Sequence, residues 1–239
     1  MSIVLIDGDP LLFRTAWGCK TLKKARQAFD EGLKEVLDSC FSDECRIAVF
    51  GDTNYRKEVD PTYKSGDSRA KSKEANPQYF KLRRQLLNEK LVEEAVDMEA
   101  DDYVRIWAEE CRENGTPYVI ASIDKDLQCI PGTHYLIHKK ELIWVDEEEA
   151  DIHYWTQILT GDSVDNIPGL YGIGPVKAGQ ILDGATTSKE RKQKVIDKYY
   201  EVYGEDWKKE LEHTGQLIHI RRTLDDDFAI PKEDGPSHE

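Results

Sequence analysis

The sequence predicts an α/β fold, a mostly parallel sheet flanked by helices and followed by a small helical subdomain. Three observations carry that expectation. Short apolar, β-branched runs end at carboxylates in SIVLID (Ser2–Asp7), RIAVFGD (Arg46–Asp52) and TPYVIASIDKD (Thr116–Asp126). Helical periodicity lies between them, as a parallel sheet requires of its crossovers. Beyond the acidic run DEEEAD (Asp146–Asp151), the pattern changes to short helices broken by glycine and proline.

Taken in order, Ser2–Asp7 reads as a buried strand that stops at Gly8, and a helix is expected from about Lys23 to Leu37. A second strand ends at Asp52. Helical sequence follows from about Tyr79 to Leu91 and from Glu99 to Glu113, the latter closed by Asn114 and Gly115. The third strand ends at Asp124. HYLIHK and ELIWV are two further strands. A last helical stretch begins near Ser188, and the polar tail from Asp225 is expected to be loosely held, with Phe228 and Ile230 able to tuck back. The implied division is a core over 1–151 containing a basic segment 53–90, a helical subdomain over 152–224 and a tail over 225–239.

With 239 residues the chain can bury one sizeable core. Its 33 lysines and arginines against 47 aspartates and glutamates give a net charge of −14. Such a balance argues against holding a polyanion by wholesale surface charge, though not against a basic stripe or acidic groups that carry metal. No apolar run reaches the roughly 20 residues of a membrane span, and MSIVLIDGDP lacks a basic signal-peptide region, so an intracellular protein with no membrane partner is expected. Five cysteines without a CxxC pair suit reduced structural thiols. The six histidines show no zinc spacing.

The carboxylates carry the strongest chemical signal. Ligands of a parallel sheet sit beyond the carboxyl ends of its strands, where Asp7, Asp52, Asp124 and Asp126 fall. Glu99 and Asp102, three apart at a helix start, share a face, with Asp101 displaced around the axis. Asp162 and Asp165 precede the glycine-rich stretch. So many carboxylates at one sheet edge repel one another unless cations bind between them, and oxygen ligands without a histidine or cysteine cluster point to Mg²⁺ or Mn²⁺. The acidic run Asp146–Asp151, by contrast, reads as a solvated face.

Positive charge is concentrated between Asp52 and Glu99. There Arg56, Lys57, Lys64, Arg69, Lys71, Lys73, Lys81, Arg83 and Arg84 alternate with Tyr55, Tyr63, Tyr79 and Phe80, a mixture able to hold a phosphate backbone and stack a displaced base. In DNIPGLYGIGPVKAGQ, Gly169, Gly172 and Gly174 allow a tight turn that presents backbone N–H groups at a helix start, with Pro175 in its first turn and Lys177 adding charge.

Together the segments VLIDGD, FGDTNYRKEVDPTYK, MEADD, SIDKDLQ and TGDSVDNIPGLYGIGPVKA, in this order and over most of the chain, resemble the phage and bacterial 5'-to-3' exonuclease and flap endonuclease family. That family includes the 5'-nuclease domain of bacterial DNA polymerase I, and the phage branch is the nearest in appearance. The resemblance implies a PIN-like sheet and a helix-three-turn-helix that grips duplex DNA by its backbone. It assigns Asp7, Asp52, Glu99, Asp101 and Asp102 to a tightly held Mg²⁺, which Mn²⁺ can replace. Asp124, Asp126, Asp162 and Asp165 go to a looser second ion, and a K⁺ is implied at the glycine turn.

Lys64, in the family's tyrosine-lysine pair, is implied to contact the scissile phosphate. The family often has an arginine three residues after that lysine; here Asp67 stands there, and Arg69 is out of step. The implied reaction is metal-assisted phosphodiester hydrolysis near a 5' end of duplex, nicked or flap DNA, by a monomer, with an RNA–DNA hybrid as a further substrate and a 5' phosphate on one product. DNA contacts are expected from Tyr55, Arg56, Lys57, Tyr63, Lys64, Arg69, Lys71, Gly169, Gly172, Gly174 and Lys177. The balance of exonuclease and flap cleavage stays open. Three other classes compete: a haloacid-dehalogenase-type phosphatase with Asp7 as nucleophile and Asp9 as acid/base, a PIN-type ribonuclease, and a noncatalytic DNA-binding module.

Overall fold

The structure, a computed structural model, describes residues 2–66 and 75–237. The chain divides into two compact units. The first comprises residues 1–55, 67–145 and 220–224, and the second residues 56–66, 146–219 and 225–239. The boundary therefore falls before the acidic run rather than after it. Two short segments also belong to units other than those expected: 56–66 to the second and 220–224 to the first.

The first unit is built on a six-stranded sheet in the order β3-β2-β1-β4-β5-β6. Its strands are β1 (Ile3–Asp7), β2 (Cys45–Val49), β3 (Glu93–Glu94), β4 (Tyr118–Ser122), β5 (Gly132–Leu136) and β6 (Glu141–Val145). All pairings are parallel except β5–β6. Strand alternation sends Val4 and Ile6 to one face, where Leu12 of α1 (Gly8–Ala16), Phe29 of α2 (Leu22–Ser39) and Leu82 of a helix over Pro77–Asn88 cover them. Leu5 faces the other way, onto Val104 and Trp107 of a helix over Ala100–Asn114. Asp7 has the parity of Leu5 and so shares that helix's side of the sheet.

The helix over residues 8–16 was not legible, because Gly8-Asp9-Pro10 reads as a turn. Pro10 is tolerated there since the first-turn N–H groups have no intrahelical partner. The helix expected from Glu99 starts at Ala100 with a reciprocal capping box between Glu99 and Asp102, and it ends at Gly115 in the left-handed conformation (φ 66°).

Numbered in chain order, the helices are α1, α2, α3 (Arg56–Val59), α4 (Pro77–Asn88), α5 (Ala100–Asn114), α6 (Glu147–Thr160), α7 (Pro175–Leu182), α8 (Ser188–Tyr203) and α9 (Trp207–Ile218). In the second unit α6 to α9 surround a core that includes Trp155, Leu170, Ile196 and Leu211. A two-stranded ladder, β7 (Gly161–Asp162) with β8 (Ile167–Pro168), closes the loop between α6 and α7.

The acidic run is more than a solvated face. Asp146 caps α6 by accepting the Glu149 amide, and Glu149 returns the bond. Glu148 and Asp151 hold the buried Arg191 of α8 at 2.8 and 2.7 Å. The tail expected to be loosely held is fastened as well. Ile230 is 4% exposed, its amide donates to Glu212, and Ser237 binds Asp197 through both its amide and its hydroxyl.

Candidate active site

The order of the first sheet reverses between β1 and β4, the switch point at which ligands of such sheets bind. Asp7 and Asp124 lie at this point, and one residue joins them. Ser122 Oγ donates to Asp7 Oδ2 at 3.2 Å and accepts the Asp124 amide at 2.9 Å. Asp124 Oδ1 in turn accepts the Asp126 amide at 2.9 Å. Asp7 is 5% exposed, whereas Asp124 and Asp126 are half-buried. Asp124 Oδ2 makes no hydrogen bond among the described residues.

A second chain of bonds positions the carboxylates of α5. Asn54 Nδ2, two residues beyond the exposed Asp52, donates to Glu99 Oε1 at 3.0 Å, and the Tyr55 amide donates to the Asp97 carbonyl at 3.3 Å. The loop carrying Asp52 is thereby tied to the start of α5. Asp101 is half-buried in the first turn. Asp102 is fully buried, and its oxygens accept backbone amides, Oδ2 from Glu99 at 2.8 Å and Oδ1 from Arg221 at 3.0 Å. Among the described residues no three His, Cys, Asp or Glu side chains form a metal-holding group as they stand.

Asp162, Asp165 and Lys64 belong to the second unit. Asp162 Oδ1 accepts the amides of Val164 and Asp165 at 2.7 and 3.3 Å, organising the loop that precedes the glycines. Lys64 is bound to Asp165 twice, through its amide to the Asp165 carbonyl at 2.9 Å and through Nζ to Oδ2 at 3.4 Å.

Two of the expected DNA contacts, Arg56 and Tyr63, are buried. Arg56 is 2% exposed and donates from Nε to the Leu217 carbonyl at 3.0 Å and from Nη2 to the His219 carbonyl at 2.6 Å, so it closes the end of α9 rather than facing a phosphate. Tyr63 is buried in the second unit's core and is not placed to stack a base. Tyr55 carries the Arg221 guanidinium 3.9 Å above its ring. Arg83 points inward to the Phe50 carbonyl and to Glu94. Lys57, Lys81 and Arg84 are exposed, while Arg69, Lys71 and Lys73 lie outside the described residues.

In the glycine stretch, Gly172 is left-handed (φ 74°), and its carbonyl accepts Lys177 Nζ at 2.8 Å. Gly174 caps α7 with extended backbone. Gly169 is required by its own chain, because a Cβ there would lie 2.2 Å from the Thr160 carbonyl oxygen. Tyr171 at the tip of this turn is fully exposed.

Asp9 answers the phosphatase alternative. Its Oδ2 accepts the Phe50 amide at 2.7 Å and its Oδ1 the Tyr79 hydroxyl at 2.8 Å, which makes it a brace between α1, the end of β2 and α4 rather than an acid/base. Burial, and then Asp9 itself, push the Tyr79 phenol up, so it stays a donor. Ser122, Asn54 and Arg221 escaped sequence reading. Ser122 lies inside the SIDKDLQ motif, where a serine two residues before an aspartate was the available signal.

The donor set suits a hard cation. It is made of carboxylate oxygens, whereas burial pushes the Cys129 thiol up to about 11 and the Cys40 thiol up to about 12, and His134 gives Nε2 to the Ile130 carbonyl at 2.8 Å. All five cysteines are free.

An α/β protein with Asp7 and Asp124 at the switch point of a mostly parallel sheet is the class that the fold and this site define. The chain belongs to the 5'-3' exonuclease family, whose N-terminal resolvase-like domain matches residues 2–154. It is 34% identical over 211 residues to DNA polymerase I of Rhizobium leguminosarum, covering 76% of this chain and 20% of that one. It is 28% identical over 201 residues to Flap endonuclease Xni of Pectobacterium atrosepticum, covering 74% and 72%. The chain thus spans about a fifth of the polymerase and most of the flap endonuclease. Its fold is that of the bacteriophage T5 D15 protein co-crystallised with metal ions, with a TM-score of 0.67 at 16% identity over 91% of this chain and 86% of that one. Among the described residues no helix is long and apolar enough to cross a membrane.

Proposed function

We propose that this chain is a metal-dependent 5'-to-3' nuclease that hydrolyses phosphodiester bonds near the 5' ends of duplex DNA and at 5' flaps. The observation that carries the reading is the Asp7–Ser122–Asp124 connection at the β1/β4 switch point, on the side of the sheet that α5 covers. Family membership and the flap endonuclease relative support it.

Within the first unit Asp7, Asp52, Glu99 and Asp101 would hold Mg²⁺, with Mn²⁺ as a substitute, and Asp124 and Asp126 would serve a second, looser ion. When bound, such ions lower the pKa of water and neutralise charge on a phosphate. Ser122 orients the Asp7 carboxylate and holds the backbone that carries Asp124. Asp102 fixes the first turn of α5 and the Arg221 segment, a positioning role that replaces direct coordination as its main task. Lys64 supplies a compact positive charge to the phosphate, and the Gly172–Lys177 turn grips the duplex backbone, with K⁺ as an added counter-charge. The enzyme is read as a monomer, and RNA–DNA hybrids as a further substrate.

Mg²⁺-dependent cleavage of duplex and 5'-flap DNA, labelled separately at each end, tests this reading. Loss of label from the 5' end or flap incision by the intact protein, abolished in Asp124→Asn, is the expected result. A folded, Mg²⁺-supplied protein that cuts neither substrate would refute it.

A further inference from the structure

We propose that Asn166 is a positioning residue for Lys64. The inference rests on the assignment of Lys64 to the substrate phosphate, and it deepens that reading.

Lys64 sits in a turn that its own residue type does not favour. Its φ is 52°, in the left-handed region that side chains other than glycine and asparagine rarely adopt. The turn is drawn together locally: Asp60 Oδ1 accepts the Thr62 amide at 2.7 Å and the Thr62 hydroxyl at 2.8 Å, and the Tyr63 amide bonds back to the Asp60 carbonyl at 3.0 Å. Tyr63 anchors it by burying its ring.

Asn166 reaches this turn from a loop about a hundred residues further along the chain, its two partners lying 104 and 101 residues before it. Its single amide nitrogen donates to the Thr62 carbonyl at 3.0 Å and to Ser65 Oγ at 3.3 Å. The two hydrogens of one NH₂ group therefore bracket Lys64, one acceptor lying two residues before it and the other one residue after it. The neighbouring Asp165 holds Lys64 itself through the carbonyl and the carboxylate. Asn166 is also left-handed (φ 58°), which asparagine accepts better than other side chains with a Cβ.

A lysine ammonium ends a flexible stem, so where it can reach depends on where its backbone is held. By clasping both flanks, Asn166 keeps that backbone in its unfavourable conformation and delivers Nζ at the Asp165 edge. The pairing of the two segments thus couples the expected phosphate contact to an expected metal carboxylate.

Asn166→Gly keeps the left-handed backbone accessible and deletes the amide. Asn166→Asp keeps the shape and replaces the donor by an acceptor facing the Thr62 carbonyl. Both are compared with wild type on a 5'-flap duplex in Mg²⁺, by single-turnover rate at saturating protein, with affinity measured separately in Ca²⁺ and folding by thermal melting. The expected result is a rate lower by about tenfold with affinity nearly unchanged. In a Lys64→Ala background the further loss from Asn166→Gly should shrink to within about twofold, since the two act through one group. Wild-type rates in both folded variants would overturn the proposal, as would a full, additive loss on top of Lys64→Ala. Should Asn166→Gly not fold, Asn166→Asp carries the comparison. If the intact protein itself leaves every 5'-ended DNA uncut, the nuclease reading falls and this inference with it, an outcome distinct from an active wild type and an unaffected variant.

Discussion

Lys64 Nζ lies 3.4 Å from Asp165 Oδ2, and the Lys64 amide donates to the Asp165 carbonyl at 2.9 Å. One basic and one acidic residue for which the family resemblance implies opposite duties, phosphate neutralisation and cation binding, are thus held together within the second unit. The pair keeps a strong positive charge beside a carboxylate that a divalent ion would otherwise share. If Asp165 served a divalent ion, as the family resemblance implies, that ion would compete with Lys64 for the carboxylate. Both side chains are only partly exposed (22% and 14%), so water screens the pair incompletely.

Lys64→Ala is expected to lower single-turnover cleavage of 5'-flap DNA by about a hundredfold, the scale of losing one preorganised charge at a transition state. Affinity measured in Ca²⁺ should change little. A loss confined to affinity, with the cleavage rate of bound DNA intact, would remove Lys64 from the chemical step.

Ser122→Ala removes the hydroxyl that donates to Asp7 and accepts from Asp124. Residues that orient metal carboxylates commonly change metal affinity by 10- to 100-fold, so the Mg²⁺ concentration for half-maximal activity should rise by about tenfold while the rate at saturating Mg²⁺ recovers. A Mg²⁺ titration of both proteins checks this. An unchanged midpoint would make Ser122 a packing residue only.

Legibility followed how local each signal was. β1, β2 and β4 were visible because a buried parallel strand is a short apolar run, and the carboxylate that ends each one is its neighbour in sequence. The start of α5 was legible for the same reason, since the Glu99–Asp102 box closes within one turn. Arg56 was misread because its partners, the carbonyls of Leu217 and His219, lie more than 160 residues away, and an arginine amid lysines and tyrosines looks like surface. Asp9 was ambiguous for a similar reason: only the fold brings Tyr79 and the Phe50 amide to it. The tail looked loose because its composition is polar, yet Ile230 and two aspartate contacts suffice to fix it.

Arg56→Met tests that reassignment. Substitution leaves the carbonyls at the end of α9 without their buried donor, which should destabilise the protein by about 2–4 kcal/mol. The salt dependence of DNA binding should keep its slope, whereas loss of a phosphate contact would reduce it by about one unit. Urea denaturation and binding isotherms at several salt concentrations separate the two.

His134 supplies a pH dependence. Burial lowers its pKa below the ordinary 6.5, and its bond to the Ile130 carbonyl only partly offsets this. The unfolded chain therefore takes up a proton near pH 6.5 that the folded chain refuses. The contribution is constant above that pH and declines as pH falls from about 6.5 toward the lower folded value. His134→Gln can keep a donor to Ile130 without titrating. Its urea midpoint should fall less steeply than wild type between about pH 6.5 and 5. Parallel profiles would show that His134 is not the group responsible.

Gly169 and Gly174, five residues apart, should respond oppositely to alanine. At Gly169 a Cβ would stand 2.1 Å from the Thr160 carbonyl carbon and 2.4 Å from the Gly161 amide nitrogen, contacts with backbone that cannot give way, so Gly169→Ala should lower the melting temperature sharply. At Gly174 a Cβ meets nothing within 4 Å, and φ is −98°, a conformation any residue adopts. The protein's own packing therefore supplies no reason for glycine there, whereas a phosphate backbone approaching the start of α7 does, because the amides at a helix start are reached most closely where no side chain intervenes. Gly174→Ala should melt like wild type and bind duplex DNA several-fold more weakly, by an amount on the order of 1 kcal/mol, with Gly174→Val weaker still. Equal affinity for all three folded proteins would place the DNA elsewhere and leave Gly174 without a role in binding.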